Sequence, residues 1–520
     1  MSYIKKIILH NFKIFENLEI NTNRKLVIFI GDNGVGKSTI LEAIQLMLTG
    51  SQKLVESIGI NNIMNINAVN NFLDGNKKIK NLPKTRVEIF LDDNISDATI
   101  NGNHYDLLNS DFAKNGLSLT IKPNLETYEQ EIKEILENTD LFPYEYYKIE
   151  FKTFSGKTYS QYTKTESIYK HKFVRNFNLN YKKGMKDYIK EIYESIFDET
   201  MRKSINISFR ENTFNFIKDN LKEMSDIDFQ FEHENENSFQ NNLTIYEKGI
   251  NINNLGHGEK LMVNIEADMY SSLDKTIMLL EEPETHLSYL NMHKLINLIK
   301  ESTNDQIFIT THNNMIASRL DLRNLIVLNG NNKFTFNDIS KETSIFFEKS
   351  TNTNLLNFIL SKKSILVEGN SEYILLDSFY EKINGNKSYL DNVSIISCDG
   401  IPFKRYIEIG EFLNKKIAIL TDNDKKNSED VISKYLSNEN DKIKIFTDKN
   451  EENYTLEVSL YNNNEDLFKE KIETKSMTKG LLSFMLSNKT ESAYRILTNV
   501  ELSLINVPNY IKEAIEWIKE

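Results

Sequence analysis

The 520-residue chain alternates between segments with the two-residue hydrophobic period of strands and segments with the 3.6-residue period of helices. Residues 26–30 form a continuous, β-branched apolar run followed by glycine, which is typical of a buried parallel strand. A helix is predicted over Lys37–Leu48, because Leu41, Ile44 and Leu48 fall on one face. A second strand, over Thr85–Leu91, completes an opening α/β pattern.

The middle of the chain carries charged helical patterns at Glu126–Leu136 and Lys186–Phe197, which predict an inserted helical subdomain. Core-like periodicity returns after it as helix, strand, helix and strand. These four elements are predicted at Leu255–Leu273, Thr276–Leu280, His293–Ile299 and Gln306–Thr310.

From residue 355 onward, strands and helices alternate, which implies βαβ units and a parallel sheet. The predicted strands are Ser364–Val367, Val393–Ile396, Ile417–Leu420 and Lys442–Phe446, and the predicted helices are Glu372–Tyr380, Phe403–Phe412 and Ser428–Leu436. A polar stretch at Asn329–Ser340 marks the change of domain. The predicted organisation is a first α/β domain at 1–120 and 226–340, an insert at 121–225 and a second α/β domain at 355–520.

Composition restricts the classes of protein to which the chain can belong. It has 63 basic and 75 acidic residues, a net charge of −12, which excludes a uniformly basic nucleic-acid coat but not a local basic patch. The single cysteine, Cys398, excludes intrachain disulfides and cysteine-rich zinc sites. No apolar window is long enough to cross a bilayer, and no signal peptide is evident. We therefore expect a cytoplasmic protein without a membrane partner.

The segment Gly31–Ser38 fits the phosphate-loop pattern G-x-x-x-x-G-K-[ST] between the predicted strand and helix. Its glycines allow consecutive backbone N–H groups to point at one anion, beside the positive end of the helix. Lys37 would reach the β- and γ-phosphates of ATP and the Ser38 hydroxyl would hold Mg²⁺. The predicted ATP contacts are Asn33, Gly34, Gly36, Lys37, Ser38 and Thr39.

A second apolar strand, Ile277–Leu280, ends in the acids Glu281 and Glu282. In nucleotide-hydrolysing folds such a strand delivers one carboxylate to the metal ion and another to the attacking water. Glu281 is the predicted metal ligand, where most such ATPases have Asp, and Glu282 is the predicted base. Surface acids without a role are the alternative.

Two further motifs complete the pattern: Leu255–Lys260 opens the helix before this strand, and His312 follows the next strand. Together with the opening segment Ile8–Phe15, the set resembles an ABC-type ATPase head of the branch that contains the SMC, RecF-like and OLD (overcoming lysogenization defect) proteins. The resemblance implies that Leu255–Lys260 is a signature segment whose Gly258 contacts ATP on a partner head, and that His312 senses the γ-phosphate. It thereby implies a homodimer or higher homo-oligomer. Gly256 replaces the usual signature serine, which favours slow ATP turnover.

Carboxylates also follow two predicted strands of the last domain. Glu368 ends one strand, with Glu372 one turn into the next helix, and Asp422 and Asp424 follow another. Ligands in parallel α/β sheets bind at the carboxyl ends of strands, so these acids are expected to converge. Converging carboxylates require a counter-ion, and Mg²⁺, or alternatively Mn²⁺, is the expected one. Separate solvated acids are the alternative.

The two acidic motifs resemble a Toprim domain, the metal site shared by topoisomerases, primases and OLD nucleases. The resemblance implies that Glu368 is a metal ligand or general base, that Asp422 and Asp424 are ligands, and that Glu372 is a plausible fourth. It also suggests a late acid, Glu457, for a second metal. The same resemblance suggests a late lysine, Lys479, for the charge of the transition state. Each of the last two is weighed evenly against an ordinary surface residue.

One segment has the composition of a nucleic-acid surface. Between Lys157 and Lys190 there are nine basic residues and two acids, interleaved with tyrosine and phenylalanine. A solvated or partner-binding face of the insert is the stronger alternative. The pairs Lys415–Lys416 and Lys425–Lys426 flank the second acidic strand and are candidates for guiding phosphate to the metals.

An ATPase head followed by a Toprim domain in one chain resembles the OLD family, including the nuclease subunits of Gabija-type and retron-associated anti-phage systems. The resemblance implies an ATP-gated, metal-dependent DNA endonuclease that acts beside a companion such as a helicase or a reverse transcriptase with its non-coding RNA. An ATP-dependent DNA-binding or repair scaffold of the RecF/SMC type is one alternative. A nuclease that cuts RNA or tRNA at the same site is another.

Overall fold

The chain divides into two compact units, Met1–Thr311 with Leu328–Lys333, and His312–Val327 with Phe334–Glu520. In the described residues, no helix combines the length and the apolar character needed to cross a membrane. The computed structural model describes residues 3–106, 112–163, 170–175, 193, 197–220, 246–247, 250–251, 256–270, 276–302, 306–329, 332–350, 354–400, 402–435, 441–475 and 477–520.

The strands up to the start of the second α/β region are β1 Ile4–Phe12, β2 Phe15–Asn21, β3 Leu26–Gly31, β4 Thr85–Leu91, β5 Asn101–Gly102, β6 Lys114–Pro123, β7 Tyr147–Thr153, β8 Lys170–Arg175, β9 Tyr246–Glu247, β10 Ile250–Asn251, β11 Thr276–Glu281, β12 Gln306–Thr310, β13 Leu325–Asn329 and β14 Asn332–Thr335. An antiparallel sheet has the order β2-β1-β4-β6-β5, with β7 beside β6. Strands β3, β12, β11 and β8 run parallel in a second sheet. The predicted strands at 26–30, 85–91, 276–280 and 306–310 are confirmed.

Strand β3 lies inside the six-stranded sheet, whose full order is β14-β13-β3-β12-β11-β8, and its side chains from Val27 to Ile30 are therefore fully buried. Gln306, also fully buried at the start of β12, links this sheet to the antiparallel one. Its amide nitrogen donates to the carbonyl oxygens of Ile4, Thr22 and Arg24, each at 2.9 Å. One satisfied polar side chain therefore fixes the first strand against the nucleotide-binding sheet.

The helices are α1 Lys37–Thr49, α2 Gln52–Ile58, α3 Ile60–Ile63, α4 Ile66–Leu73, α5 Leu125–Asn138, α6 Glu199–Asn220, α7 His257–Tyr270, α8 Tyr289–Glu301, α9 Asn314–Arg319, α10 Lys341–Lys349, α11 Leu355–Leu360, α12 Asn370–Asn384, α13 Phe403–Phe412, α14 Ser428–Tyr435, α15 Leu456–Lys471, α16 Leu481–Ser487, α17 Lys489–Asn499 and α18 Asn509–Lys519. The helix predicted at 126–136 is α5. Most of the helix predicted at 186–197 lies outside the described residues.

The start of the predicted helical insert differs from expectation. Strand β7 pairs along its length with β6 and extends the antiparallel sheet. Its alternation of outward lysines and acids with inward Phe151 is a strand pattern, which the charge of the neighbouring helix α5 obscures. Helix α5 lies between β6 and β7 in the chain, so the first part of the predicted insert contains both a helix and a strand of the sheet.

The second unit has the predicted βαβ architecture. Its strands β15 Lys363–Val367, β16 Val393–Ser397, β17 Lys416–Leu420 and β18 Ile443–Phe446 form a parallel sheet in the order β16-β15-β17-β18. Helix α18 packs on β15, β17 and β18, and its residues Ala514, Ile515 and Ile518 are fully buried. Because all four strands are parallel, the residues that follow them share one edge of the sheet.

Candidate functional site

The phosphate loop connects β3 to α1 through glycines in the left-handed region. Gly34 has φ 79° and Gly36 has φ 94°, and a Cβ atom at Gly36 would overlap the Phe15 ring. Glycine is therefore required at Gly36 for both conformation and space. The loop residue Asn33 and the helix residue Ser38 are exposed, which leaves the first turn of α1 open to an anion.

Lys37 lies inside this loop and is only 5% exposed. Its Nζ atom donates to the carbonyl oxygens of Gly31 at 3.0 Å and Asp32 at 2.9 Å. Burial lowers the pKa of Lys37, while Glu282, Asp32 and Glu284 act in the opposite direction. The acids after β11 therefore act electrostatically on the phosphate-loop lysine, as a nucleotide site requires.

The end of β11 carries the predicted acidic pair. Glu281 is the last strand residue, and the backbone of Glu282 turns left-handed, with φ 44°. The Glu282 amide donates to the Thr310 carbonyl oxygen at 2.9 Å, which fixes the turn against β12. Glu284, which sequence reasoning left without a role, accepts a 2.6 Å hydrogen bond from the Thr311 hydroxyl.

The signature segment is described from Gly256, so Leu255 lies outside the described residues. A Cβ atom at Gly258 would lie 2.6 Å from the carbonyl oxygen of His286, whereas one at Gly256 would lie 3.7 Å from Glu259. Gly258 therefore allows α7 to approach the turn that follows β11. His312 is half-buried two residues beyond β12, and its γ-phosphate role stays a prediction, as does that of Thr39.

Glu368 and Asp422 meet at the carboxyl edge of the second sheet. The Thr421 hydroxyl donates to Glu368 Oε1 at 2.5 Å, and the Asp422 amide approaches the same oxygen at 3.3 Å. Their strands β15 and β17 are direct neighbours, so the strand ends bring the two acids together. The expected convergence of the two motifs is therefore observed for this pair.

Two further acids surround Asp422. Burial raises the pKa of Asp422 to about 8, and the charges of Glu368, Glu372 and Glu457 raise it further, while Lys489 lowers it. Burial also raises the pKa of Glu372, and Glu457 contributes to that rise. Four carboxyl groups from two strand ends and two helices thus share one electrostatic environment.

Glu457 is the most deeply buried member of this cluster, at 3% exposed in the first turn of α15. Lys489 Nζ lies 3.0 Å from Glu457 Oε2 and 3.8 Å from Asp422 Oδ2. The approach to Glu457 is an ion pair without hydrogen-bond geometry, since both carboxylate oxygens are buried and lack a hydrogen-bond partner. The resemblance to OLD nucleases had suggested Glu457, and the structure places it beside Asp422.

The lysine beside these acids is Lys489, whereas Lys479 is exposed in the loop before α16. Among the described ion pairs and hydrogen bonds, none joins Lys479 to the cluster. Lys489 is the first residue of α17, where the helix dipole disfavours a cation. A lysine at this unfavourable position is the sequence signal that could have pointed to it.

Asp424 stands at the exposed rim of the cluster. It has φ 52° and Lys425 has φ 62°, two consecutive left-handed residues. The buried Asn423 amide fixes this turn by donating to the carbonyl oxygens of Asp448 at 3.0 Å and Asn450 at 2.9 Å. Asp424 therefore faces solvent next to the buried acids.

The donors present suit a hard divalent cation. All are carboxylate oxygens. The two buried oxygens of Glu457 have no hydrogen-bond partner, so a cation would bind them without displacing one. Within the described stretches, no three His, Cys, Asp or Glu side chains already stand close enough to form a metal-binding group. These residues suit a divalent cation because the four acids act on one another electrostatically. They do not yet have the geometry of a complete set of metal ligands.

The predicted nucleic-acid surfaces have different outcomes. Most of 157–190 lies outside the described residues, but Tyr159 is 5% exposed and donates to the Met47 carbonyl oxygen at 2.9 Å, so it is a core residue. Lys415 is 5% exposed at the opposite edge of the sheet from the acids, and its Nζ donates to Ser361 Oγ at 2.7 Å. A phosphate-guiding role for Lys415 is therefore wrong. Lys416, with Nζ 4.6 Å from the Trp517 ring centre, lies at the same distant edge.

Comparison with known proteins gives local similarity to recombination proteins. A stretch of 48 residues is 44% identical to the DNA replication and repair protein RecF of Rickettsia felis, covering 9% of this chain and 13% of that protein. Solved structures similar to this chain include an SMC head domain derived from Pyrococcus furiosus (15% identity, 67% of this chain, 99% of that chain, TM-score 0.35) and RecF bound to ATP (13%, 64%, 97%, 0.32). With both TM-scores under 0.5, the fold assignment rests on topology and on family models.

Two family models match the chain in succession. One, described as an AAA ATPase domain, matches residues 2–317, and the other, described as an overcoming lysogenization defect protein-like Toprim domain, matches residues 359–424. The second match ends at Asp424 and includes Glu368 and Asp422. The chain thus belongs to the AAA ATPase domain family, in the OLD-type arrangement of an ATPase domain followed by a Toprim domain.

Proposed function

We propose that this protein is an ATP-gated, metal-dependent endonuclease that cleaves DNA. The observation that carries the proposal is the convergence of Glu368, Glu372, Asp422 and Glu457 at one sheet edge, with Lys489 between two of them. Buried acids of one charge destabilise a fold unless they serve a ligand. The OLD-like Toprim match supports a divalent cation as that ligand and phosphodiester hydrolysis as the reaction that it assists.

Each side chain has a distinct role in this proposal. Asp422, Asp424, Glu457 and Glu368 would hold the divalent cation, with Glu372 of α12 as a further ligand. The bound cation supplies Lewis acidity and lowers the pKa of an attacking water. Glu368, held by the Thr421 hydroxyl, also serves as general base toward that water.

Lys489 contributes positive charge at the same place. Its ammonium group offsets the repulsion between Asp422 and Glu457 before substrate binds. It then stabilises negative charge that develops on the phosphate during cleavage. Lys479 remains a candidate for the same task, from an exposed position.

ATP acts through the first unit. Lys37 and the backbone of Gly34 and Gly36 bind the phosphates, Ser38 and Glu281 hold Mg²⁺, and Glu282 activates water. Gly258 and His312 complete the site in a homodimer. Gly256 in place of serine removes a hydroxyl from the signature, so ATP serves mainly as a conformational ligand with slow turnover.

A plasmid-cleavage assay tests the proposal. Supercoiled plasmid is incubated with Mg²⁺ or Mn²⁺, with and without ATP, using the wild-type protein, Glu368→Ala and Lys37→Ala. Cleavage that is lost in Glu368→Ala and altered by ATP only when Lys37 is intact supports the proposal. Cleavage that survives Glu368→Ala contradicts the Toprim assignment, and cleavage insensitive to ATP and Lys37→Ala contradicts the gating.

The alternative is an ATP-dependent DNA-binding scaffold without nuclease activity. The 48-residue match to RecF favours it, because the matched protein is a replication and repair protein. DNA retention by the wild-type protein without cleavage under any metal condition would establish this alternative. Replacing the plasmid by tRNA or total RNA in the same assay detects an RNA nuclease.

The proposed biological setting is defence against phage in the cytoplasm, beside a companion such as a helicase or a reverse transcriptase with its non-coding RNA. The support is the ATPase–Toprim order of the domains. Phage plating on cells that carry the gene with and without its neighbours tests this setting. An unchanged plating efficiency for the wild-type locus relative to Glu368→Ala would contradict it.

A further inference from the structure

Two lysines beside the acidic cluster are each held on the ring of a tyrosine. Lys425 Nζ lies 4.6 Å from the Tyr454 ring centre, and Lys434 Nζ lies 4.8 Å from the Tyr435 ring centre. Both lysines are exposed, whereas both rings are half-buried. The rings therefore restrict flexible ammonium groups to defined positions without neutralising their charge.

The two lysines share one acidic neighbour, Asp424. Lys425 directly follows Asp424, and its ring partner Tyr454 accepts the Asp424 amide hydrogen bond at its carbonyl oxygen, 3.3 Å away. Tyr454 precedes the start of α15 by two residues, and the Leu456 amide there donates to Asp422 Oδ1 at 2.9 Å. Lys425 thus stands on the α15 side of the cluster.

Lys434 is in the last turn of α14. Its hydrogen bond with the Tyr435 hydroxyl raises its pKa, and the charges of Asp424 and Glu368 add to that effect. Tyr435 is itself packed edge-on against Phe403, with ring centres 5.6 Å apart. The second ammonium group is therefore supported from helices α13 and α14.

An independent observation points to a ligand at the acidic cluster itself. Glu457, with 3% exposure, directs two carboxylate oxygens without hydrogen-bond partners into the same cluster. The left-handed turn of Asp424 and Lys425 costs about 1 kcal/mol or more per residue, and the Asn423 hydrogen bonds maintain it. The chain thus holds Lys425 at the rim against its local backbone preference.

We infer that Lys425 and Lys434 bind two phosphates beside the phosphodiester that is cut, so that the substrate is an internal linkage of a polynucleotide. This inference rests on the proposed nuclease function. A mononucleotide or a terminal phosphate would engage at most one of the two lysines. The arrangement therefore selects for endonucleolytic cleavage.

A binding measurement with a labelled DNA oligonucleotide tests the inference without turnover. Binding is monitored by fluorescence anisotropy, in EDTA, over a series of salt concentrations. Lys425→Gln and Lys434→Gln are each expected to weaken binding about tenfold at low salt and to reduce the salt slope by about one charge. Tyr454→Phe keeps the ring face and should bind like the wild-type protein, whereas Tyr454→Leu should weaken binding.

Lys469→Gln is the matched control. Like the two test lysines, Lys469 is exposed, and its Nζ atom pairs with Glu465 Oε1 at 2.6 Å. It lies near the opposite end of α15, roughly 18 Å from Glu457 by helical rise. Equal losses in Lys469→Gln and in the two test variants would overturn the inference, as would unchanged binding in both test variants. Far-ultraviolet circular dichroism and Lys434→Arg, which retains the charge, separate loss of contact from loss of folding.

Cleavage of oligonucleotides with one neutral methylphosphonate linkage beside the scissile phosphate locates each contact. A neutral linkage on one side should impair the wild-type protein but add nothing to the defect of the lysine variant that faces it. If the wild-type protein cuts and neutral linkages have no effect, the inference fails while the nuclease function stands. If binding depends on both lysines but the protein cuts no polynucleotide, the proposed function fails while the contacts stand.

Discussion

Replacing Lys415 by methionine tests how the structure distinguishes a structural lysine from a functional one. The ammonium group is 5% exposed, donates to Ser361 Oγ and the Phe358 carbonyl oxygen, and lies 4.5 Å from the Phe358 ring centre. Burial lowers the pKa of Lys415 to about 7 from 10.5. Among the described ion pairs, none includes this lysine.

The size of the effect follows from this difference in pKa. Keeping the ammonium charged inside the fold costs about 5 kcal/mol of unfolding free energy, as an upper limit. Lys415→Met also loses the hydrogen bonds and the ring contact, and this loss offsets about 2 kcal/mol of the gain. Lys415→Met, which removes the charge and keeps similar volume, should therefore stabilise the second unit by about 3 kcal/mol at pH 6.5.

The sign of the pH dependence is also fixed. Below pH 7 the lysine is charged in both states, so its cost is fully present. Between pH 7 and 10.5 the unfolded chain binds a proton that the folded chain has lost, and the wild-type protein becomes more stable as pH rises. The advantage of Lys415→Met should therefore shrink steadily toward pH 10.

Urea unfolding at pH 6.5 and pH 9.5, followed by fluorescence, measures this difference. Trp517 is the single tryptophan of the chain and lies in the second unit, 5.8 Å from the Phe446 ring centre, so it reports on that unit. Lys404→Met, at an exposed position of α13, is the control and should change little at either pH. A stabilisation that is equal at both pH values, or a destabilised Lys415→Met at pH 6.5, would refute the reasoning.

Three further predictions concern the two sites. Gly258→Ala should destabilise the first unit by about 1–3 kcal/mol in thermal unfolding and reduce ATP hydrolysis, because its Cβ atom meets the His286 carbonyl oxygen at 2.6 Å; normal stability and turnover would contradict this. Gly256→Ser should raise the rate of phosphate release several-fold, since the position has space and regains the signature hydroxyl; a slower rate would argue against a signature role. Lys489→Gln should move the pH profile of Mn²⁺-dependent cleavage upward, since the lysine lowers the pKa of Asp422; an unshifted profile would place Lys489 outside the site.

Local sequence signals predicted the parts of the fold that depend on short-range patterns. The phosphate loop, the buried strands and the parallel sheet of the second unit follow from glycine spacing and hydrophobic period, and they are observed. The meeting of Glu368 and Asp422 was also predictable, because parallel strands place their carboxyl ends at one edge.

Features that depend on long-range packing were not predictable. Lys489 reaches the acids from a helix that begins 32 residues after Glu457, and only the path of the chain brings them together. The Lys415–Lys416 pair reads as a solvated charge run, yet the fold buries the first residue against Phe358. Strand β7 was missed because the charges of the neighbouring segment mask its alternation.

Helix α18 covers the sheet that carries the acids, although it follows every one of them in the chain. Its Ile511 and Ile515 belong to the same apolar core as Val367 and Leu420, the strand residues that precede Glu368 and Asp422. A nascent polypeptide that has not yet emerged beyond residue 509 therefore lacks one wall of this core. Because the first unit is synthesised before this wall, the core beneath Glu368 and Asp422 cannot close until Asn509–Lys519 has emerged from the ribosome.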